Sequence, residues 1–134
     1  LPIGAGSGRV ATLRTPAPLG ALLPRIKAWL DLPLLRVAAP DEHAAGQLLR
    51  TVAVCPGAGG SVFEGLDTVD LMLTGELRHH EVLDRVARGT SVVLTDHTHT
   101  ERGFLSVLAQ RLRAAHGELT VHLSARDRDP LVPR

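Results

Sequence analysis

Two histidines one residue apart, with a glutamate close behind them, stand in the stretch TDHTHTERGFL at residues 95–105, directly after the apolar run SVVL. Imidazole nitrogen together with carboxylate oxygen suits zinc, manganese or iron. His97 and Glu101 are four residues apart, so on a helix that begins by His97 they share a face and reach one ion. His99, two residues from each, points elsewhere. The stretch follows a strand-like run, and α/β sheets place their ligands at the carboxyl ends of strands. A capping box is the competing reading, with Thr98 as cap and Glu101 reaching back to its amide. On residue types alone, capping or solvent exposure is favoured, because a catalytic metal usually takes about three protein ligands and one histidine with one glutamate is too few.

A second polar corner, TGELRHH at 74–80, also follows a strand-like run and supplies Glu76, His79 and His80. Glu76 and His79 are the candidates for proton donor or acceptor, since carboxylate and imidazole groups at a strand-to-helix turn can act as acid, base or ligand. His79 and His80 cannot face the same way on a helix, and polar residues collect at helix starts for capping alone. A third corner, CPGAGGS at 55–61, has the strand-to-helix context of a backbone-amide cradle. It lacks the third glycine of the dinucleotide pattern and the Gly-Lys-Ser/Thr of a P-loop, which leaves a tight turn as the better reading. Cys55 has no base beside it in sequence and reads as a small buried hydrophobe.

The elements that must position these corners follow from periodicity. RVATL at 9–13 reads as a short strand after the glycine-rich loop GAGSGR at 4–9. Residues 19–31 place Leu19, Leu22, Leu23, Ile26 and Leu30 on one helical face, and Pro24 should either kink that helix or begin a shorter one. LLRVAA at 34–39, TVAVC at 51–55, DLMLT at 70–74, SVVLT at 91–95 and ELTVHL at 118–123 read as strands, with PDEHAAG as a loop. A short helical stretch is expected from Ser61, a helix over HHEVLDRVA closed by Gly89, and a long helix from about Thr100 to Ala115 closed by Gly117. Strands alternating with helices predict a layered α/β sheet with flanking helices, as one domain over residues 1–131.

Composition narrows the function classes. Fifteen basic against 14 acidic residues, a net charge of +1, gives no global field for nucleic acid or an anionic membrane. Trp29, Phe63 and Phe104 are the only aromatics, too few for a base-stacking platform. The lone Cys55 excludes an internal disulfide. No run approaches the length of a membrane span and no secretory signal is visible, so the expectation is a soluble, intracellular chain with no membrane partner. The first residue is Leu1, and the final LVPR matches a protease site used to remove tags, so Val132 to Arg134 read as a tag remnant.

GSGR at 6–9, VAVCPGAGGSV at 52–62, DLMLTGELRHHEVLD at 70–84, DHTHTERGFL at 96–105 and DRDPL at 127–131 fall in an order that resembles the carboxyl-terminal part of the NIF-three-like family (Ngg-interacting factor three-like). The TGE followed by HH, and the H-x-x-T-E-R-G-F-L, look closest to the family's animal branch. The resemblance implies the family's α/β fold, a two-metal site in a cleft holding zinc, manganese or iron, and assembly into homo-oligomers. It assigns His97 and Glu101 as metal ligands, and leaves His80, His99 and Arg102 as residues lining the cleft. The family's other ligands, a neighbouring histidine pair and an aspartate, lie in an amino-terminal half that does not match any part of this chain; His79 and His80 are not that pair. The expectation is therefore two divalent ions in the intact protein, and no stable two-metal centre and no activity in these 134 residues alone.

Two functions follow from the resemblance. One is a piece of a metal-dependent hydrolase, the family being often labelled a second type of GTP cyclohydrolase. The other is a non-enzymatic scaffold that self-assembles and binds transcriptional regulators in cytoplasm and nucleus. Near-neutral charge and scarce aromatics favour protein partners over direct nucleic-acid contact.

Overall fold

The computed structural model describes residues 5–131; Gly4 of the glycine-rich loop and Val132 to Arg134, expected from sequence to be a tag remnant, lie outside the described residues. In chain order the elements are β1 (Arg9–Pro18), α1 (Leu19–Leu30), β2 (Arg36–Ala38), α2 (Asp41–Ala44), β3 (Leu48–Ala58), β4 (Leu71–Glu76), α3 (His79–Ala87), β5 (Ser91–Leu94), α4 (His97–Glu101) and α5 (Gly103–Ala115). The strands form one mixed sheet of order β1-β3-β4-β5-β2. Its three middle strands are parallel to one another, and β1 and β2 close the two edges antiparallel. The expected layered α/β sheet with flanking helices is what the chain forms.

Strand periodicity decides what each face carries. From one face Leu71 and Leu73 of β4, with Leu49 and Val93, pack against Leu19 and Leu22 of α1. From the other, Met72 joins Ala53, Cys55, Phe63 and Val69. The middle strands are thus covered on both sides, which explains why LMLTG and SVVL are continuous apolar or small runs rather than alternating ones. Pro24 does not restart α1: one helix runs past it to Leu30 and is capped by Asp31, whose φ of 53° ends it. The apolar face anchors residues on both sides of the proline, and that burial outweighs the one lost backbone bond.

Five other expectations are corrected. TVAVC is the centre of an eleven-residue strand that continues through Pro56, Gly57 and Ala58, with a register shift against β4 between Cys55 and Ala58. Beyond it no helix starts at Ser61; residues 60–65 form turns that Phe63 pins into the core. The PDEHAAG loop contains α2, held by its buried His43, whose Nδ1 lies 2.8 Å from Ser91 Oγ. Residues 118–123 form no strand, because Arg113 ties Val121 back to α5 through a 2.6 Å bond to its carbonyl and the tail never reaches a sheet edge. The helix expected from Thr100 begins at His97 and breaks at Arg102 into α4 and α5. Glycine at 103 is a poor helix residue, and the Thr100 hydroxyl donates to the His97 carbonyl at 2.8 Å, competing with the backbone ladder.

Asp70 ties the entry of β4 to the start of β3. Its Oδ2 accepts from the amides of Arg50 at 2.6 Å and Thr51 at 2.8 Å and from the Thr51 hydroxyl at 3.1 Å, while its own amide donates to that hydroxyl at 3.0 Å. Burial pushes the carboxyl up, but the two backbone amides, the hydroxyl and His43 together outweigh it and hold the group below its ordinary value of 3.8. A depressed native carboxyl stabilises above the unfolded value, and that stability is lost as pH falls through the native one. Asp70→Asn should cost about 1 kcal/mol at neutral pH after allowance for partial exposure. In urea titrations the wild-type advantage should be full at neutral pH and vanish in acid; a constant difference across that range would exclude the clamp.

Candidate metal centre

Cys55, Thr74 and Leu94 are register partners across β3, β4 and β5, so the three parallel strands end level with one another. What each strand offers past that line makes the site: Gly57 from β3, Glu76 from β4 and His97 from the turn after β5. It is the carboxyl edge of a parallel sheet, where open α/β folds keep their ligands.

His97 is the hub. Its Nδ1 lies 2.9 Å from Glu76 Oε1 and its Nε2 lies 3.3 Å from Glu101 Oε1. All three side chains are about half exposed. Asp96 precedes the helix, and Glu101 is the last residue of α4, too far along it for the expected capping box with Thr98. Its carboxylate faces the imidazole instead. Among the described residues, no group of three histidine, cysteine or carboxylate side chains could hold a metal ion. His97 and Glu101 supply two donors of the right chemistry, fewer than the about three that a catalytic metal usually takes.

Two glycines make room for this pair. A Cβ on Gly57, whose φ is +68°, would stand 2.7 Å from Glu101 Oε1 and 2.9 Å from His97 Nε2. The space between the two donors is therefore floored by bare backbone, a cradle that any side chain would fill. A Cβ on Gly75 would meet the carbonyls of Gly57 at 2.7 Å and Asp96 at 2.8 Å and the Cα of His97 at 2.8 Å. The Gly57 peptide is fixed by two hydroxyls: its amide donates to Thr100 Oγ at 2.7 Å, and its carbonyl accepts from Thr74 Oγ at 3.0 Å. Asp96, with φ 64° and ψ 156°, adopts a backbone region that a residue with a side chain rarely occupies. Its carboxylate accepts from Arg36 at 2.9 Å, an exposed pair.

The other residues singled out from sequence disperse around this hub. His79 and His80 open α3 and are exposed, and His80 faces a cleft that it shares with Glu76, Arg78 and Gly60. His99 turns away to Asp129, 3.9 Å off, and Arg102 donates to Asp127 at 2.7 Å, so both hold the tail against α4. The Asp129 carboxyl is held below its ordinary value by the Leu131 amide first and then by the Thr98 hydroxyl. Burial pushes the Cys55 thiol up, as suits an inert core residue. Sequence reasoning missed Gly57, Gly75, Thr74 and Thr100. Their only signal was that each sits within or beside a strand-to-turn junction that also carries a titratable residue.

The family model described as Duf34/NIF3 (NGG1p interacting factor 3) matches residues 2–130. The chain belongs to the Duf34/NIF3 family. NIF3-like protein 1 of Rattus norvegicus is 43% identical over 127 residues, covering 94% of this chain and 34% of the rat protein. NGG1-interacting factor 3 of Saccharomyces cerevisiae is 37% identical over 129 residues, covering 94% of the chain and 44% of the yeast protein. The crystal structure of a Bacillus cereus protein related to NIF3 shares the fold with a TM-score of 0.74 at 23% identity, over 96% of this chain and 36% of that one. The chain thus spans about a third to under half of the length of these NIF3 relatives.

The two glycines are expected to fail differently. Gly75→Ala collides with backbone on three sides, and should cost about 3 kcal/mol or prevent folding. Gly57→Ala meets side-chain atoms, the end of Glu101 and the His97 ring, so the main result should be displacement of that pair, with a left-handed strain penalty of about 1–2 kcal/mol. Thermal and urea unfolding of both variants checks the order; equal losses would rule out the backbone-collision account of Gly75.

Proposed function

We propose that this chain carries one side of a divalent-metal site in a metal-dependent, hydrolase-like protein, with His97 and Glu101 as ligands. The observation that supports it most is the pairing of His97 Nε2 with Glu101 Oε1 at 3.3 Å above a glycine whose Cβ would fill the space between them. If Nδ1 carries the ring proton toward Glu76, two acceptors face each other there, and a cation between them turns repulsion into attraction. The chemistry a divalent ion supplies in such a place is Lewis-acid polarisation of a bound oxygen and activation of water. Around it, His97 and Glu101 would orient the ion, the Gly57 peptide would limit how far the two donors spread, and Glu76 and His80 would line the approach from the α3 side. The remaining ligands, a second ion, and the substrate belong to the longer protein that the relatives' length implies.

A second reading is a protein-binding scaffold, acting in cytoplasm and nucleus. The yeast relative's name records interaction with NGG1. On this chain α5 exposes Phe104, Leu105, Leu108 and Leu112 and buries Ala109 alone, an apolar helix face open to a partner or to another copy.

The two readings separate on metal binding. In zinc and manganese titrations, His97→Ala and Glu101→Ala should each weaken binding by more than about tenfold relative to the unmodified protein. Unchanged affinity in both variants would remove the metal reading and leave the scaffold.

A further inference from the structure

Glu76 lies on the opposite side of the His97 ring from Glu101. Its Oε1 is 2.9 Å from Nδ1, a normal hydrogen-bond length, while Glu101 Oε1 is 3.3 Å from Nε2. The two ring nitrogens diverge, so no single ion can be held by Nε2 and also reach the carboxylate bonded at Nδ1. Glu76 is therefore badly placed to be a ligand of an ion bound between His97 and Glu101. It is well placed to decide which nitrogen carries the proton. A carboxylate accepts only, so a hydrogen bond to Nδ1 requires Nδ1–H, and in the neutral imidazole, the form that binds a metal, this leaves the Nε2 lone pair free.

The backbone makes this contact a fixed feature of the sheet. Glu76 ends β4 opposite Ala58 of β3, and its carbonyl accepts from the Gly59 amide at 3.3 Å, so its Cα is held by the ladder. His97 is held from below by the close approach of its Cα to Gly75 and through its carbonyl by Thr100. With 47% of the His97 side chain and 53% of Glu76 exposed, the pair adds little to folding stability. Its effect is on orientation and tautomer.

We infer that Glu76 is a positioning residue: it accepts the Nδ1 proton of His97 and turns the Nε2 lone pair toward Glu101 and a divalent cation held between them. This rests on the metal-pair reading above, and it assigns to Glu76 an action through His97 rather than a proton transfer of its own. A metal-ligating imidazole whose other nitrogen donates to a carboxylate is fixed in one ring orientation and made more basic, and loss of that carboxylate typically costs about 10–100-fold in metal affinity.

The test reads the tautomer first, in the metal-free 134-residue chain, by long-range nitrogen–proton correlation of the histidines, with the pH raised until the ring nitrogen shifts stop changing and the neutral form is read. His97 should appear as the Nδ1–H form. Glu76→Ala should shift it toward the Nε2–H form that free imidazole side chains prefer, and Glu76→Gln, whose amide oxygen still accepts, should retain the Nδ1–H form. Zinc affinity, measured by competition with a chromogenic chelator, should fall about 10–100-fold in Glu76→Ala and be largely rescued in Glu76→Gln. A His97 spectrum unchanged by Glu76→Ala would overturn the inference whether or not zinc binds. If the tautomer shifts as expected but the unmodified chain takes up no zinc, the metal reading fails for this chain and the positioning of His97 by Glu76 stands.

Discussion

The carboxyl edge of this sheet depends on a missing side chain. At Gly75 three backbone atoms, one from β3 and two from the turn after β5 and the start of α4, crowd the place where a Cβ would stand, at 2.7–2.8 Å. Because β4 is the middle strand, that single vacancy sets how closely the ends of β3 and β5 can approach. Gly57 then lies under the His97 ring, and α4 starts close enough for Thr100 to receive the Gly57 amide. The side chains that could bind an ion are all half exposed, so solvent screens their mutual attraction and they cannot have assembled the corner themselves. Packing of backbone on backbone, within a sheet buried on both faces, holds them there.

Asp96 shows what that assembly costs. Its backbone occupies a region in which a side chain costs about 1–3 kcal/mol, in the turn that delivers His97 onto Gly75. Strain of this size persists only where the surroundings over-determine the conformation. Here they do: β5 is buried along its whole length just before the turn, and α4 is bonded to β3 just after it. The surface bond to Arg36 is too exposed to offset much of the cost.

The sheet was legible in the sequence because the middle strands are continuous β-branched and aliphatic runs that need cover on both faces. The His97 and Glu101 pairing was legible as one of two readings, since a four-residue spacing puts both on one face only where the helix begins by His97. The failures share a cause. ELTVHL has strand-forming residues, yet a strand needs a neighbour, and whether one is in reach is a property of the whole fold. PGAGG read as a turn because glycines usually make turns; that β3 would run on through Gly57 depended on Gly75 and Thr100, which are distant in sequence. The capping box for Glu101 failed by a shift of helix start: α4 begins at His97, ahead of Thr98, and Glu101 is its last residue.

The break at Arg102 divides the end of the chain into segments of unequal hold. Before it, α4 is bonded to β3 through Thr100; after it, α5 buries only Ala109 and is otherwise open along its length. A helix so thinly anchored opens by local fluctuations that cost far less than global unfolding. In an unbroken helix such fraying would travel toward Glu101 one hydrogen bond at a time. At the junction Arg102 keeps helical backbone angles and its amide still donates to Thr98, while its guanidinium donates to Asp127, which gives the chain an anchor between α5 and the His97 and Glu101 pair.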